Sequence, residues 1–248
     1  MPTKTPLTIK TAVILAGGLG TRLRPLTYEI PKAMIPIRGK PLTDYVIENI
    51  KKSGARKVYL SIGHMAQKII EHYKSHDLGV EIDFLIEKEP LGTGGWMHML
   101  TPAQRKKDFS EDFIVVNGDD LFDLDWEKMH KQHIQTKALV TIALAEVEDV
   151  TKFGVAELDG IRIKRFVEKP TPEQAPSHYI SGGYYIFSKE VFSEIPAERR
   201  FMNEKELFPK IAAKGRLYAY KGEGPWMTTN SFEQWEYVMN NWKKTKKD

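Results

Sequence analysis

The residues with the most chemical potential come early. Leu15, Ala16, Gly17, Gly18, Leu19, Gly20, Thr21, Arg22, Leu23 and Arg24 follow directly on an apolar run that starts at Thr11. Glycines let a backbone approach a bulky anion and turn several N–H groups towards it, while Arg22 and Arg24 add charge for phosphate oxygens. The pattern reads as a phosphate cradle. The plainer alternative is a glycine turn after a strand, and the two arginines weigh against it. No Gly-Lys-Ser/Thr follows, so this is not a Walker A loop, and Gly18-x-Gly20 lacks the third glycine of the dinucleotide fingerprint. Beyond the loop, Pro31 restricts the backbone ahead of Lys32, whose ammonium could meet the same phosphates or lie in solvent.

A second group ends another apolar run: Val115, Val116, Asn117, Gly118, Asp119 and Asp120. Carboxylates at the C-terminal edge of a parallel sheet stand where such sheets bind ligands, and hard oxygen donors suit Mg²⁺. Asp119 is the metal candidate. Asp123 and Asp125 read as loop or cap residues. A third group, Glu168 and Lys169 before Pro170, ends a strand, with Glu168 suited to sugar hydroxyls and Lys169 to a phosphate; alone, such a pair is more often surface charge. From Glu87 to Gly95, a glycine-rich turn containing Gly92 and Thr93 could hydrogen-bond a base edge through its backbone, or be a tight turn with Thr93 as helix cap.

The elements that would position these groups follow from periodicity. Strands are expected at Thr11 to Ala16, Lys57 to Ile62, Val80 to Ile86 and Phe113 to Asn117. Between them come helices from Pro41 to the Ser53-Gly54 stop, around Ala66 to Tyr73 and near Gly94 to Leu100. This alternation predicts a Rossmann-like α/β fold, a mixed but mostly parallel sheet flanked by helices. After Gly118 a helix near Trp126 to Gln135 precedes closely spaced strands at Leu139 to Leu144, Val155 to Leu158, Ile161 to Val167 and Ile180 to Phe187, which favour antiparallel pairs. Helical patterns at Glu204 to Ala213 and Phe232 to Trp242 flank a strand at Leu217 to Tyr220.

Composition sets the outer limits. With 248 residues, 41% of them hydrophobic, the chain suits one α/β domain over 1–248, with 1–10 and 243–248 as flexible ends. Lys and Arg exceed Asp and Glu only by 37 to 33, too mild an excess to argue for nucleic acid. The absence of cysteine excludes disulfides, thiolate zinc sites and cysteine nucleophiles, and fits a reducing compartment. No run approaches the roughly 18 apolar residues of a membrane span, and no leader peptide is apparent, so a cytoplasmic location without membrane association is the expectation.

The ordered set of segments resembles the sugar-1-phosphate nucleotidyltransferases. It comprises Gly-Gly-x-Gly-Thr-Arg-Leu-Arg-Pro-Leu-Thr from Gly17, Pro-Lys-Ala-Met from Pro31, Glu-x-x-Pro-Leu-Gly-Thr from Glu87, Asn-Gly-Asp from Asn117, Phe-Gly-Val from Phe153, Val-Glu-Lys-Pro from Val167, and Gly-Gly-Tyr-Tyr-Ile-Phe from Gly182. Each motif alone is weak; in order, over roughly Thr11 to Val238, they are specific. The chain looks nearest to mannose-1-phosphate and heptose-1-phosphate guanylyltransferases, while glucose-1-phosphate uridylyl- and thymidylyltransferases share the skeleton.

The resemblance implies that an NTP and a sugar 1-phosphate give a nucleotide sugar and pyrophosphate, with GTP and mannose 1-phosphate or a related sugar phosphate as the expected pair. It implies catalytic roles for Arg22, Lys32 and Asp119. A nucleotide site would comprise Leu15, Ala16, Gly17, Gly18, Gly20, Thr21, Arg22, Lys32, Glu87, Gly92, Thr93, Asn117 and Gly118. Gly154, Glu168, Lys169, Gly183 and Tyr184 would form the sugar-phosphate site, and Mg²⁺ would sit on Asp119.

One departure bears on the metal. Where the family carries a second aspartate, two residues after a tryptophan, Trp226 is followed by Met227 and Thr228, leaving Thr228, Asn230, Asp120 or water to complete the shell. Ser181 also stands where relatives often have asparagine, and the C-terminal β-helix carried by some relatives is not expected in these 248 residues. A ligand-binding regulatory homologue without catalysis, or a UTP-, dTTP- or CTP-using glucose-1-phosphate enzyme, are the alternatives. The arginine-bearing loop argues against a glycosyltransferase, whose nucleotide sugar has no triphosphate tail, and the missing third glycine against an oxidoreductase. A homodimer is one open arrangement.

Overall fold

The computed structural model describes residues 9–242. In chain order the elements are β1 (Thr11–Leu15), β2 (Pro36–Ile37), β3 (Lys40–Pro41), α1 (Leu42–Lys51), β4 (Lys57–Ile62), α2 (Ala66–Ser75), β5 (Glu81–Ile86), α3 (Pro102–Asp108), β6 (Phe113–Asn117), β7 (Asp120–Phe122), α4 (Trp126–Thr136), β8 (Val140–Glu146), β9 (Gly154–Asp159), β10 (Arg162–Glu168), β11 (Tyr179–Phe187), α5 (Phe208–Ala213), β12 (Leu217–Lys221), β13 (Trp226–Thr228) and α6 (Phe232–Asn241).

The main sheet has the order β5-β4-β1-β6-β11-β8-β12-β10-β9. Strands β5, β4, β1 and β6 are parallel, β12 is parallel to β8, and β11 lies antiparallel between β6 and β8. The β9–β10 hairpin closes the far edge, and β9 also meets β11 at Val155 and Ile180. The sheet is thus the expected mixed one, with its parallel half at the N-terminal end of the chain. Small ribbons β2–β3 and β7–β13 stand apart from it, and the second pairs Thr228 with Asp120.

Strand β1 shows why the sheet is buried on both sides. Side chains alternate along a strand, so Ala12 and Ile14 enter one core with Leu42, Val46, Ile47 and Ile50 of α1, while Val13 enters the other with Tyr59, Trp96, Phe113 and Phe208. Such two-sided burial needs helices over each face, which the apolar stripes of α1, α2, α4 and α5 supply. Among the described residues, no helix is long and apolar enough to cross a membrane.

Three local expectations are corrected. The helix near Gly94 to Leu100 is only a 3₁₀ turn, Gly95–Met99, and the true helix is α3, opened by a capping box between Thr101 and Gln104 with Pro102 in its first turn. The segment 204 to 213 is divided into a π-helical turn, Asn203–Leu207, and α5, because Pro209 has no N–H to continue a helix from upstream. At the N-terminus, Ile9 is buried and the Lys10 carbonyl accepts from the Arg56 and Lys57 N–H groups, so these two residues are held rather than frayed. The remainder of that segment, and 243–248, lie outside the described residues.

Candidate active site

The C-terminal ends of β1, β5 and β6 open on one cleft of about 390 Å³. Its lining is Leu15, Ala16, Gly17, Gly18, Gly20, Thr21, Arg22, Leu23, Lys32, Ala33, Glu87, Pro90, Gly92, Thr93, Asn117, Gly118, Asp119, Met202 and Asn230. All the residues expected at the nucleotide end therefore face a single hollow of ligand size, at the sheet edge where α/β folds bind ligands.

The glycine loop is held in shape from beneath. Gly20 has φ +62, a left-handed conformation costly for other residues, and a Cβ there would lie 2.7 Å from the Thr27 methyl. Thr27 in turn donates to the Gly20 carbonyl at 2.8 Å. Glu87 lines the cleft, but its oxygens are committed: Oε1 accepts from Ser61 at 2.6 Å and Oε2 from the Leu91 N–H at 3.0 Å. It braces the β5 turn against the loop. Thr93 is not a helix cap; its hydroxyl donates to Glu204 at 2.6 Å and accepts from the Asn203 N–H at 2.8 Å, tying this wall of the cleft to the segment that carries Met202.

Across from the loop, Lys32 Nζ lies 2.5 Å from Asp119 Oδ2 and 2.6 Å from Asn230 Oδ1. The Lys32 side chain is 13% exposed and that of Asp119 30%. Asp119 is fixed through its carbonyl, which accepts from both the N–H and the hydroxyl of Thr229 at 3.1 Å. The Asn230 amide donates to Thr228 Oγ1 at 2.6 Å, which turns its own oxygen towards the lysine. Two hard oxygen donors thus already converge on a positive charge, and this donor set fits a divalent cation of the Mg²⁺ type. Thr228 is buried and does not line the cleft, because its position in the β7–β13 ribbon turns it to Asp120. Asp120 is buried too, and burial first, then the neighbouring Asp119 charge, holds its carboxyl far above the usual carboxylate range.

The remaining expected residues form a less unified group. Gly183, on β11, packs against Asn117 of the cleft lining: its φ is +76 and a Cβ would lie 2.5 Å from Asp120 Oδ2 and 2.7 Å from Asn117 Nδ2. Gly154 and Glu168 are directly paired across β9 and β10, and a Cβ on Gly154 would meet Glu168 Oε2 at 3.2 Å. Lys169 is exposed, with its N–H bonded to the Phe153 carbonyl at 2.9 Å. Neither Glu168 nor Lys169 lines the cleft. Tyr184 is a correction: it is fully buried, its hydroxyl donates to the Asp120 carbonyl at 2.9 Å, and its ring packs near Phe122 and Trp126, so it serves the core. Arg24 is another, since its guanidinium sits over the Tyr28 ring, 5.1 Å from the centroid, outside the cleft lining.

Met202 was not foreseen. It belongs to none of the glycine-rich or charged motifs, and no spacing rule flags a methionine beside a cleft. Asp125 caps α4 by accepting from the Lys128 N–H, and Asp123 pairs with Lys52 at 2.8 Å.

The fold places this cleft where open α/β sheets bind ligands, and comparison with known proteins narrows the class. A family model described as nucleotidyl transferase matches residues 11–243, and the chain belongs to that family. It is 39% identical over 220 residues to a mannose-1-phosphate guanylyltransferase catalytic subunit beta of Danio rerio, covering 87% of this chain and 60% of the relative. It is 33% identical over 211 residues to a D-glycero-alpha-D-manno-heptose 1-phosphate guanylyltransferase of Campylobacter jejuni, covering 84% of this chain and 90% of that one. The chain therefore spans about 60% of the length of the mannose-type relatives and most of the heptose type. Among solved structures, HddC from Yersinia pseudotuberculosis complexed with GMP-PN superposes with a TM-score of 0.78 at 31% identity, over 94% of this chain and 99% of that one.

Proposed function

We propose that the protein transfers a nucleoside monophosphate from an NTP to a sugar 1-phosphate, with GTP and mannose 1-phosphate or a related sugar phosphate as substrates. The observation that carries this reading is the convergence of the glycine loop, Arg22, Lys32 and Asp119 on one cleft. Guanine as the base is supported by the names of the relatives and by the GMP-PN bound to HddC. The described residues are read as one nucleotidyltransferase domain, and the substrates suit a cytoplasmic location.

In the reaction, an oxygen of the sugar phosphate forms a bond to the α-phosphorus of the NTP as the bond from that phosphorus to the bridging oxygen of the β-phosphate breaks. Pyrophosphate leaves with the bonding electrons, and no covalent enzyme intermediate forms. Both reactants are anions, so the first task of the protein is to hold them together against their repulsion. The N–H groups of the glycine loop and Arg22 bind the phosphate tail. Lys32 moves from Asp119 and Asn230 to the phosphates and spreads their charge as the transition state forms. The turn at Gly92 and Thr93 receives the base. Gly154, Glu168, Lys169 and Gly183 receive the sugar phosphate, which requires the exposed Lys169 to fold inward. A divalent cation, Mg²⁺ in this reading, held by Asp119 with Asn230, would supply charge neutralisation at the phosphates. Alignment alone lowers the barrier by about 7–11 kcal/mol.

The test is a matrix of five NTPs against common sugar 1-phosphates, scored by pyrophosphate release. GTP with a manno-configured sugar phosphate is expected to be fastest. No release from any pair would sink the enzymatic reading, and a preference for UTP, dTTP or CTP with glucose 1-phosphate would replace its substrates.

A further inference from the structure

Outside the cleft, α1 and α2 bring together three side chains suited to a different metal. Asp44, in the first turn of α1, has a side chain only 1% exposed. Its Oδ1 accepts from the Tyr73 hydroxyl at 2.7 Å, while its Oδ2 is buried with no hydrogen-bond partner. Facing it are His72, in the last turn of α2, and His76, just past its end. His76 Nε2 is 3.2 Å from Asp44 Oδ2, and His72 Nε2 is 4.0 Å from Asp44 Oδ1. His72 Nε2 is likewise buried and without a hydrogen-bond partner. One ligand atom from each of the three lies within 4.8 Å of the others.

The spacing has a simple origin. Residues four apart share a helix face, so His72 and His76 are stacked over the same point of α1, with ring centres 4.9 Å apart. A buried imidazole nitrogen with no hydrogen bond, beside a buried carboxylate oxygen whose near polar neighbour is His76 Nε2 at 3.2 Å, is costly unless a positive centre joins them. Two imidazoles and one carboxylate are a donor set for Zn²⁺ and similar transition ions, whereas Mg²⁺ prefers oxygen alone. Bonds of about 2.0–2.1 Å would draw the three atoms inward. His76, 45% exposed, is free to make that adjustment and leaves a side open for access and for water as fourth ligand.

We propose that Asp44, His72 and His76 form a structural site for a divalent transition-metal ion of the Zn²⁺ class. The ion would clamp α2 onto α1. The clamp would lie next to the reactive end of the molecule, because Thr43, adjacent to Asp44, donates to the Ala33 carbonyl at 2.7 Å and so anchors the turn that carries Lys32. The site is separate from Asp119 and does not depend on the proposed reaction.

The test uses the full chain, stripped with EDTA and titrated with Co²⁺ and Zn²⁺ in the presence of excess Mg²⁺. Binding is followed by visible d–d absorption for Co²⁺, a chromophoric chelator for Zn²⁺, and thermal melting. One equivalent is expected to bind, with a rise in melting temperature. His72→Gln and His76→Gln should each weaken binding by at least about 10–100-fold and abolish the melting shift, while Asp119→Asn leaves both intact. Co²⁺ absorption and Zn²⁺ affinity that are the same in the histidine variants overturn the proposal. So does a parent protein that binds no ion, in which the cluster is only a histidinium–carboxylate ion pair.

Discussion

Lys32→Met isolates the charge on which the proposed chemistry turns. In the cleft this ammonium contacts Asp119 at 2.5 Å and Asn230 at 2.6 Å, and it is 13% exposed. An ammonium about 4 Å from a developing phosphate charge contributes about 4 kcal/mol at the effective dielectric of a partly buried site. A loss of that size corresponds to about a thousandfold in rate. The cost to folding should be smaller, since Asp119, 30% exposed, can be hydrated once the ammonium is gone, and a partly hydrated ion pair contributes about 1 kcal/mol. Pyrophosphate release with GTP and mannose 1-phosphate, measured beside thermal melting, separates the two effects. The expected result is a fall in kcat/KM of about a thousandfold with a melting shift of no more than about 2–4 °C. Lys32→Arg keeps the charge but not its compact shape, and should recover only part of the activity. A Lys32→Met protein that retains more than about a tenth of the parental kcat/KM would refute the role assigned here.

Three further outcomes are expected. Chelation by EDTA should stop pyrophosphate release and added Mg²⁺ should restore it, which a coupled phosphate assay reads directly. Gly183→Ala places a methyl 2.5 Å from Asp120 Oδ2 at φ +76, and should cost about 1–3 kcal/mol in urea unfolding while weakening sugar-phosphate binding. His133, buried and bonded through Nδ1 to Thr141 at 2.7 Å, is pushed down by burial from 6.5 to about 4. Between those values the unfolded chain binds a proton that the folded one refuses, so this contribution is complete above pH 6.5 and declines as pH falls towards 4. The full loss is about 3 kcal/mol, and unfolding curves of His133→Asn at pH 7 and pH 4.5 should show a correspondingly smaller drop than the parent.

What could be read in the sequence was whatever neighbouring residues decide among themselves. An apolar strand running into Gly17, Gly18 and Gly20 announces both an element and a wall of the cleft, and Asn117-Gly118-Asp119 does the same after β6. Long-range partnerships are another matter. Lys32 finds Asp119 and Asn230 across separations of 87 and 198 residues, and nothing in their local spacing reveals it. Tyr184 was misassigned for a related reason. It follows Gly183 in a motif, but the register of β11 against β8 shifts between Ser181 and Tyr184, and the irregularity leaves the glycine near the cleft and the tyrosine in the core. Thr228 looked like a weakened ligand on the strength of its motif position, whereas the β13 pairing commits it to Asp120. The Asp44, His72 and His76 cluster escaped notice because its halves lie on two helices whose packing only the fold supplies.

The place of Lys32 between two oxygens has a consequence for the order of events. The ammonium offsets the charge of Asp119, so an incoming cation meets a carboxylate already neutralised. An ion arriving alone would have to evict the lysine into water with nothing to receive it. In the proposed reaction a triphosphate arriving with its own ion would give the lysine new oxygens in exchange, which favours entry of the pair over entry of the ion alone.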